Sequence, residues 1–507
     1  MSLLLTGRDL TFAQLEEVAL SGGKVSLSLT AAERMKTSRA VVERLLESGK
    51  TAYGINTGFG KLASVRVSAE QVRQLQVNLV RSHACGVGEP LSTVETRAMM
   101  LLRANALAKG LSGVRPLIVE TLCAMLNAGV HPAIPSQGSV GASGDLAPLA
   151  HLAQVVIGEG RAEFRGVVLA GSEAMKQAGV VPATLEAKEG LSLLNGTQGM
   201  LALLSLALRE ADLLADTADV AASLSLDALR GSPGAFDARI MQARAYAGAA
   251  KTAQNVARLN EGSQIRESHR SMEKDARVQD AYSLRCTPQV HGAVRDALKQ
   301  ARETAQVELN SATDNPLVFV RENGEGDIVS GGNFHGQPLA MAADQVAVVI
   351  ATLGGISERR IEQMTNPLTS MLPAFLTPEP GLNSGFMIAQ VTAAALASEN
   401  KALATPHSVD SISTSGNQED YVSMGMSAAR RLEKMLRNLR NILAIELLCG
   451  CQGVDLLAPL RTGTLAQKAH GLVRTKSVKL AEDRPLAGDV AAVAELVGAG
   501  EFAKLVR

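Results

Sequence analysis

Apolar positions in the second half of the chain recur every three to four residues over unusually long windows. Val290, Val294, Ala297, Leu298, Ala301, Ala305 and Leu309 fall on one helical stripe. Residues 338 to 364, 386 to 404 and 423 to 448 repeat the pattern with few Gly or Pro. Met200 to Asp216 is apolar on most sides, the signature of a buried helix. The first 200 residues are more mixed. Thr11 has the character of a helix N-cap before Phe12 to Ala19, and helices are expected at 69 to 82 and 92 to 109. A small hairpin is expected at Ala162 to Leu169, where Gly166 separates Phe164 from Val167. The run YGINTGFG, residues 53 to 60, reads as a loop. These patterns predict a mainly α fold: a smaller mixed N-terminal domain over 1–200 and a long helical bundle over 201–507.

Composition narrows the class. Lys plus Arg and Asp plus Glu each number 50, so no net field draws nucleic acid or an anionic membrane. Aromatics are scarce at 3% and Trp is absent, which with abundant Ala and Leu favours helix over sheet. The most apolar windows are broken by Arg209 and Glu210, by Asp344 and Gln345, or by Glu399. None holds the roughly 18 uncharged residues of a membrane span. Leu3 to Leu5, followed by Arg8 and Asp9, is too short for a signal peptide. The five cysteines are scattered, and Cys449 and Cys451 lack C-x-x-C spacing, so reduced buried thiols and a cytoplasmic setting are expected. There is no H-E-x-x-H and the eight His are widely separated, so no metal cage is expected.

Polar, glycine-rich breaks interrupt the helices: DAYSLRC, ATDNP, SGGNFHG and SISTSGNQEDY. Another, GSVGASGDLAPLAH at 138 to 151, has neither the spacing of a phosphate cradle nor a G-x-S-x-G elbow. Its glycines let the backbone turn so that the Gly144 amide reaches the Ala142 carbonyl. Ring closure and loss of water, including the Ser143 hydroxyl, would leave an exocyclic methylidene, a strong electrophile.

This segment, together with TAYGINTGFG, RSHACGVG, LLNGTQ, VQDAYSLRC, SGGNFHG and TSGNQEDY, resembles the aromatic amino acid ammonia-lyases and aminomutases. The likeness runs from about residue 10 to about 455 and is strongest to the histidine-type branch. It implies a self-made methylidene-imidazolone (MIO) group from Ala142, Ser143 and Gly144, with no external cofactor. It implies Tyr53 as the base and Tyr282 as a second tyrosine assisting the electrophile. It implies His83, Asn195, Gln279, Arg285, Phe334 and Glu419 as substrate-binding residues, with His83 and Glu419 pointing to an imidazole rather than a hydrocarbon ring. The implied reaction is elimination of ammonia from L-histidine to trans-urocanate, in a homotetramer whose subunits share active sites. The same ring would serve a tyrosine or phenylalanine ammonia-lyase or 2,3-aminomutase, and a catalytically dead helical scaffold would keep its full, undehydrated mass. Two positions depart from the family pattern: Tyr421 stands where His is common, and Ala281 where Pro is common.

Overall fold

The computed structural model describes residues 2–49, 51–58, 67–68, 71–271 and 277–507. It is mostly helical, as expected, and divides into two compact units, neither of them one continuous stretch.

The first unit comprises Met1–Leu206, Arg302–Asp344 and Pro406–Arg430. Thr11 caps the helix Phe12–Ser21 through a full capping box with Gln14, and Gly22 ends the helix at φ 72°. That helix packs on Thr93–Ala108, which Ser92 and Glu95 cap in the same way. From Thr96 to Ala108 every residue of the latter helix is buried. The expected hairpin forms from Arg161–Phe164 and Val167–Ala170, with Arg165 and Gly166 both at positive φ as a tight turn of this hand requires. The helix expected at 69 to 82 spans Val72–His83, residues 69 and 70 lying outside the described set. The expected loop over 53 to 60 is described only to residue 58 and is a turn there. Helices Leu29–Glu47, Pro116–Ala128, Leu146–Val156, Gly171–Gln177 and Glu189–Leu194 also lie in this unit's N-terminal stretch.

The second unit comprises Ala207–Ala301, Gln345–Thr405 and Arg431–Arg507. The helix expected to stop at Asp216 continues to Ala228. Beyond 216 its polar residues are buried but partnered, so they do not mark an exit to solvent. Asp219 accepts from His291 Nδ1 at 2.7 Å, Arg295 Nη2 at 2.6 Å and Asn255 Nδ2 at 2.8 Å. Burial alone would raise the Asp219 pKa, but these partners outweigh it and hold it below the usual carboxylate range. Ser225 donates to Glu446, which meets Arg360 Nε at 2.5 Å with both side chains fully buried. Two short helices, Thr464–Arg474 and Ala487–Gly498, lie in the last fifty residues, where the sequence carried no expectation.

Among the described residues, one helix is long and apolar enough to cross a membrane by composition, Gln337–Thr365, and 61% of its most apolar window is buried inside the protein. All five cysteines are free. The expectation that they are buried holds for Cys123, Cys449 and Cys451 and fails for two: Cys286 is half-buried and Cys85 is exposed. Cys85 follows the end of helix Val72–His83, at the entry to the exposed strand Val87–Pro90.

Glu446→Gln should leave the Arg360 guanidinium buried without its counter-charge and cost about 3–5 kcal/mol. The expected readout is a lower urea midpoint, largely recovered in the apolar double variant Arg360→Met with Glu446→Leu.

Candidate active site

The site is built around residues 138 to 145, on the loop that opens helix Leu146–Val156. Gly144 has φ 74°, and a Cβ there would lie 2.1 Å from the Gly196 carbonyl oxygen. Only glycine fits, for conformation and space alike. The two backbones form an isolated parallel bridge, and the Asp145 amide donates to Gly196 O at 2.7 Å. Asp145 is fully buried and does not cap its own helix. Its carboxylate instead accepts from Met200 N at 2.8 Å and Ser139 Oγ at 2.9 Å, satisfying a donor at the start of the helix Gln198–Ala228. Burial pushes its pKa up to about 6, the hydrogen bonds from Met200, Ser139 and Gly199 offsetting only part of that cost.

Ala142 is buried, and Ser143 is half-buried between two partners. Its hydroxyl donates to Glu419 Oε1 at 2.9 Å, and its carbonyl accepts from Asn195 Nδ2 at 3.1 Å. Asn195 Oδ1 is buried with no hydrogen-bond partner. The other oxygen of Glu419 accepts from Thr414 Oγ1 and Ser415 Oγ, each at 2.9 Å. Ser415, Gly416 and Asn417 all have positive φ, so the turn carrying Glu419 is held in a sparsely populated conformation. His83 sits in the field of Glu419, at the last turn of helix Val72–His83. Burial lowers its pKa below the ordinary imidazole value, opposed by its contact with Leu79 O and by the Glu419 charge. Nδ1 lies 2.9 Å from that carbonyl and so carries the proton, which leaves Nε2 as the acceptor of the neutral ring.

Tyr53 is half-buried in a turn and lines a cavity with Ala52, Pro316 and Ser330. Ser330 and Gly331 both donate to Asn315 Oδ1, at 3.1 and 2.7 Å, which ties the ATDNP turn to the SGGNFHG turn carrying Phe334. His335, next to Phe334, stacks on Tyr421 with ring centroids 6.0 Å apart. Thus Tyr53, His83, Ala142, Ser143, Gly144, Asn195, Phe334 and Glu419 all belong to the first unit, with His83, Ser143, Asn195 and Glu419 in one cluster. Gln279, Tyr282 and Arg285 belong to the second unit. There the Arg285 guanidinium lies 4.7 Å from the centroid of the Tyr282 ring, which is 71% exposed. Gln279 lines a separate cavity with Arg266, His269 and Arg277.

The residues fit a ring made from the triplet. Gly144 is pinned against Gly196 where a side chain has no room, the Ser143 carbonyl already has a donor, and the orphaned Asn195 Oδ1 is a spare buried acceptor beside it. Among the described residues no group of three or more His, Cys, Asp or Glu is placed to hold a metal ion. Several supporting residues escaped the sequence reading: Ser139, Gln198, Thr414, Ser415 and Arg103. Arg103 had a visible signal, an arginine inside the apolar run MMLLRANALA.

The family model for aromatic amino acid lyases matches residues 10–475. The chain belongs to this family. It is 54% identical over 516 residues to a histidine ammonia-lyase of Koribacter versatilis, covering 100% of this chain and 99% of that one. Its fold matches the crystal structure of histidine ammonia-lyase from Trypanosoma cruzi with TM-score 0.91 and 43% identity, covering 100% and 95% of the two chains. It matches tyrosine aminomutase from Streptomyces globisporus with TM-score 0.94 and 38% identity, covering 100% and 98%. Backbone likeness therefore does not separate a lyase from a mutase within this family; side chains must.

Asp145 gives the site a pH signature. Its folded pKa of about 6 lies above the ordinary 3.8, so the folded state binds the proton more tightly. Its contribution to stability is full below pH about 4 and is lost as pH rises through about 6. Asp145→Asn should flatten that part of the stability profile, as read from urea midpoints across the range.

Proposed function

We propose that this chain is a histidine ammonia-lyase that eliminates ammonia non-oxidatively from L-histidine to give trans-urocanate, the opening step of histidine degradation. The observation that carries the reading is the placement of Glu419 on the Ser143 hydroxyl, with His83 in its field. Once the Ser143 hydroxyl has left, a hydrocarbon ring entering there would leave Glu419 Oε1 and His83 Nε2 without partners, whereas an imidazole ring offers them polar groups. The full-length likeness to a named histidine ammonia-lyase supports the same assignment.

In this reading Ala142, Ser143 and Gly144 form the MIO group autocatalytically. The group supplies an electrophilic carbon for the substrate amine, dividing one hard elimination into easier steps. Asn195 Nδ2 orients the Ser143 carbonyl. Glu419 and His83 hold the substrate ring, and Phe334 packs beside the reacting atoms. Tyr53 takes the β-proton; its phenol, ordinarily near pKa 10, needs neighbouring donors or positive charge to do so at neutral pH. Arg285 clamps the carboxylate through paired charged hydrogen bonds, Gln279 contributes to substrate binding, and Tyr282 assists the electrophile.

The reading includes a cytoplasmic homotetramer with shared active sites, and neither nucleic acid nor membrane as a partner. Helix Met387–Leu403 supports the assembly: only Ala393 and Asn400 are buried, while Ile388 and Val391 stand 65% and 51% exposed. An apolar helix this bare within one chain has the surface of a subunit contact. The alternative is a tyrosine or phenylalanine ammonia-lyase or 2,3-aminomutase using the same group; the backbone match to tyrosine aminomutase is compatible with it but does not favour it.

The test is incubation of the purified protein with L-histidine, L-tyrosine and L-phenylalanine separately. Urocanate from histidine is expected; a β-amino acid from tyrosine or phenylalanine, with histidine untouched, overturns the assignment. Ser143→Ala should abolish turnover with an unchanged far-ultraviolet circular dichroism spectrum. Glu419→Gln should lower kcat/KM for histidine roughly 10- to 100-fold, the scale of a poorly matched buried polar group.

A further inference from the structure

Arg103 sits in the middle of helix Thr93–Ala108, fully buried among Met99, Met100, Leu101 and Leu102. An aliphatic side chain is what that helix face calls for, and a guanidinium placed there carries a heavy desolvation cost. Burial lowers its pKa to about 10, so it remains a cation at neutral pH. The neighbouring carboxylate, Asp314, pairs with Lys188 at 2.8 Å. What Arg103 does hold is one backbone carbonyl and one side-chain amide: Nη1 donates to Asn195 O at 2.8 Å and to Gln198 Oε1 at 2.7 Å. Gln198 Nε2 in turn donates to Thr313 Oγ1 at 2.9 Å. A Cβ on Gly196 would lie 2.4 Å from Arg103 Nη1 and from Gln198 Oε1. Gly196 is thus gripped from behind by Arg103 and its relay, while its carbonyl receives the Asp145 amide and its backbone bridges Gly144.

We propose that Arg103 is a positioning residue for ring closure: it clamps the Asn195–Gly196 peptide so that this peptide presses the Ala142-Ser143-Gly144 turn into its closing geometry. The inference rests on the reading of the triplet given under Proposed function. Closure joins the Gly144 nitrogen to the Ala142 carbonyl carbon. The Ala142 oxygen leaves as water with the amide hydrogens of Ser143 and Gly144, and the Ser143 hydroxyl leaves as a second water with the Ser143 Cα hydrogen. Arg103 touches none of these atoms. Its effect is transmitted through the Asn195 carbonyl, and displacement of a pre-aligned group by about 1 Å costs roughly 100-fold in rate.

Intact-mass spectrometry of the purified full chain reads this directly, beside the thermal midpoint of each variant. Arg103→Met and Arg103→Lys are compared with Arg97→Met. Arg97 is a buried arginine on the same helix that bonds Val18 O and Leu126 O and touches no part of the loop. Wild type and the Arg97 variant should be lighter than the encoded chain by two waters. Folded Arg103→Met should keep most of the undehydrated mass, and Arg103→Lys should show a mixture with slowed dehydration. A purely structural arginine would instead lower the midpoint in both Met variants and leave both masses dehydrated. Complete two-water loss in folded Arg103→Met overturns the proposal; if that variant does not fold, complete loss in Arg103→Lys with wild-type kcat overturns it. An undehydrated wild-type chain is a different result, since it defeats the reading of the triplet itself.

Discussion

Everything at this site depends on one close approach of two backbones. A side chain on Gly144 would strike the Gly196 carbonyl, one on Gly196 would strike Arg103, Gln198 and Thr313, and the Asp145 amide locks the approach at 2.7 Å from the Gly196 oxygen. Such contact between segments some fifty residues apart needs support on both sides. One side rests on Asp145, whose carboxylate is spent on the first turn of the helix Gln198–Ala228. The other rests on Arg103 and Gln198. The triplet is therefore a turn held between helices, with its close approach fixed from both sides.

The same economy places the polar groups beside the triplet. Glu419 reaches Ser143 from a turn with three successive positive φ values, and His83 reaches the same place from the end of a helix. Each is held by short-range hydrogen bonds, to Thr414 and Ser415 in one case and Leu79 O in the other. On the proposed reading, such a cluster distinguishes ring chemistry by what would be left unpaired rather than by volume.

Much of this was legible in the chain. The long helices follow from apolar spacing, and the Thr11 cap and the Gly166 hairpin follow from local turn and cap chemistry. The triplet and its neighbours stood out through the family likeness, not through composition. Where the reading fell short, the cause was tertiary. The end expected at Asp216, in a helix that continues to Ala228, shows that periodicity treats buried, partnered aspartates as solvent-facing. The helix Thr464–Arg474 buries Ala466, Ala469 and Val473 at three- and four-residue steps, a short stripe on which no expectation was placed. Cys85 lies just beyond the helix end expected at 82 and observed at His83, so the miss was to expect a scattered thiol to be buried. Arg103 was written plainly into an apolar run, but its purpose appears only once Asn195, ninety residues away, is seen above it.

The most direct measurement is a high-resolution crystal structure of the wild-type protein, prepared so that the same crystals convert L-histidine. Continuous density joining the Gly144 nitrogen to the Ala142 carbonyl carbon, with a trigonal carbon in place of the Ser143 hydroxymethyl group, is the expected result. An open, unmodified main chain at residues 142 to 144 in crystals that turn over histidine would contradict it.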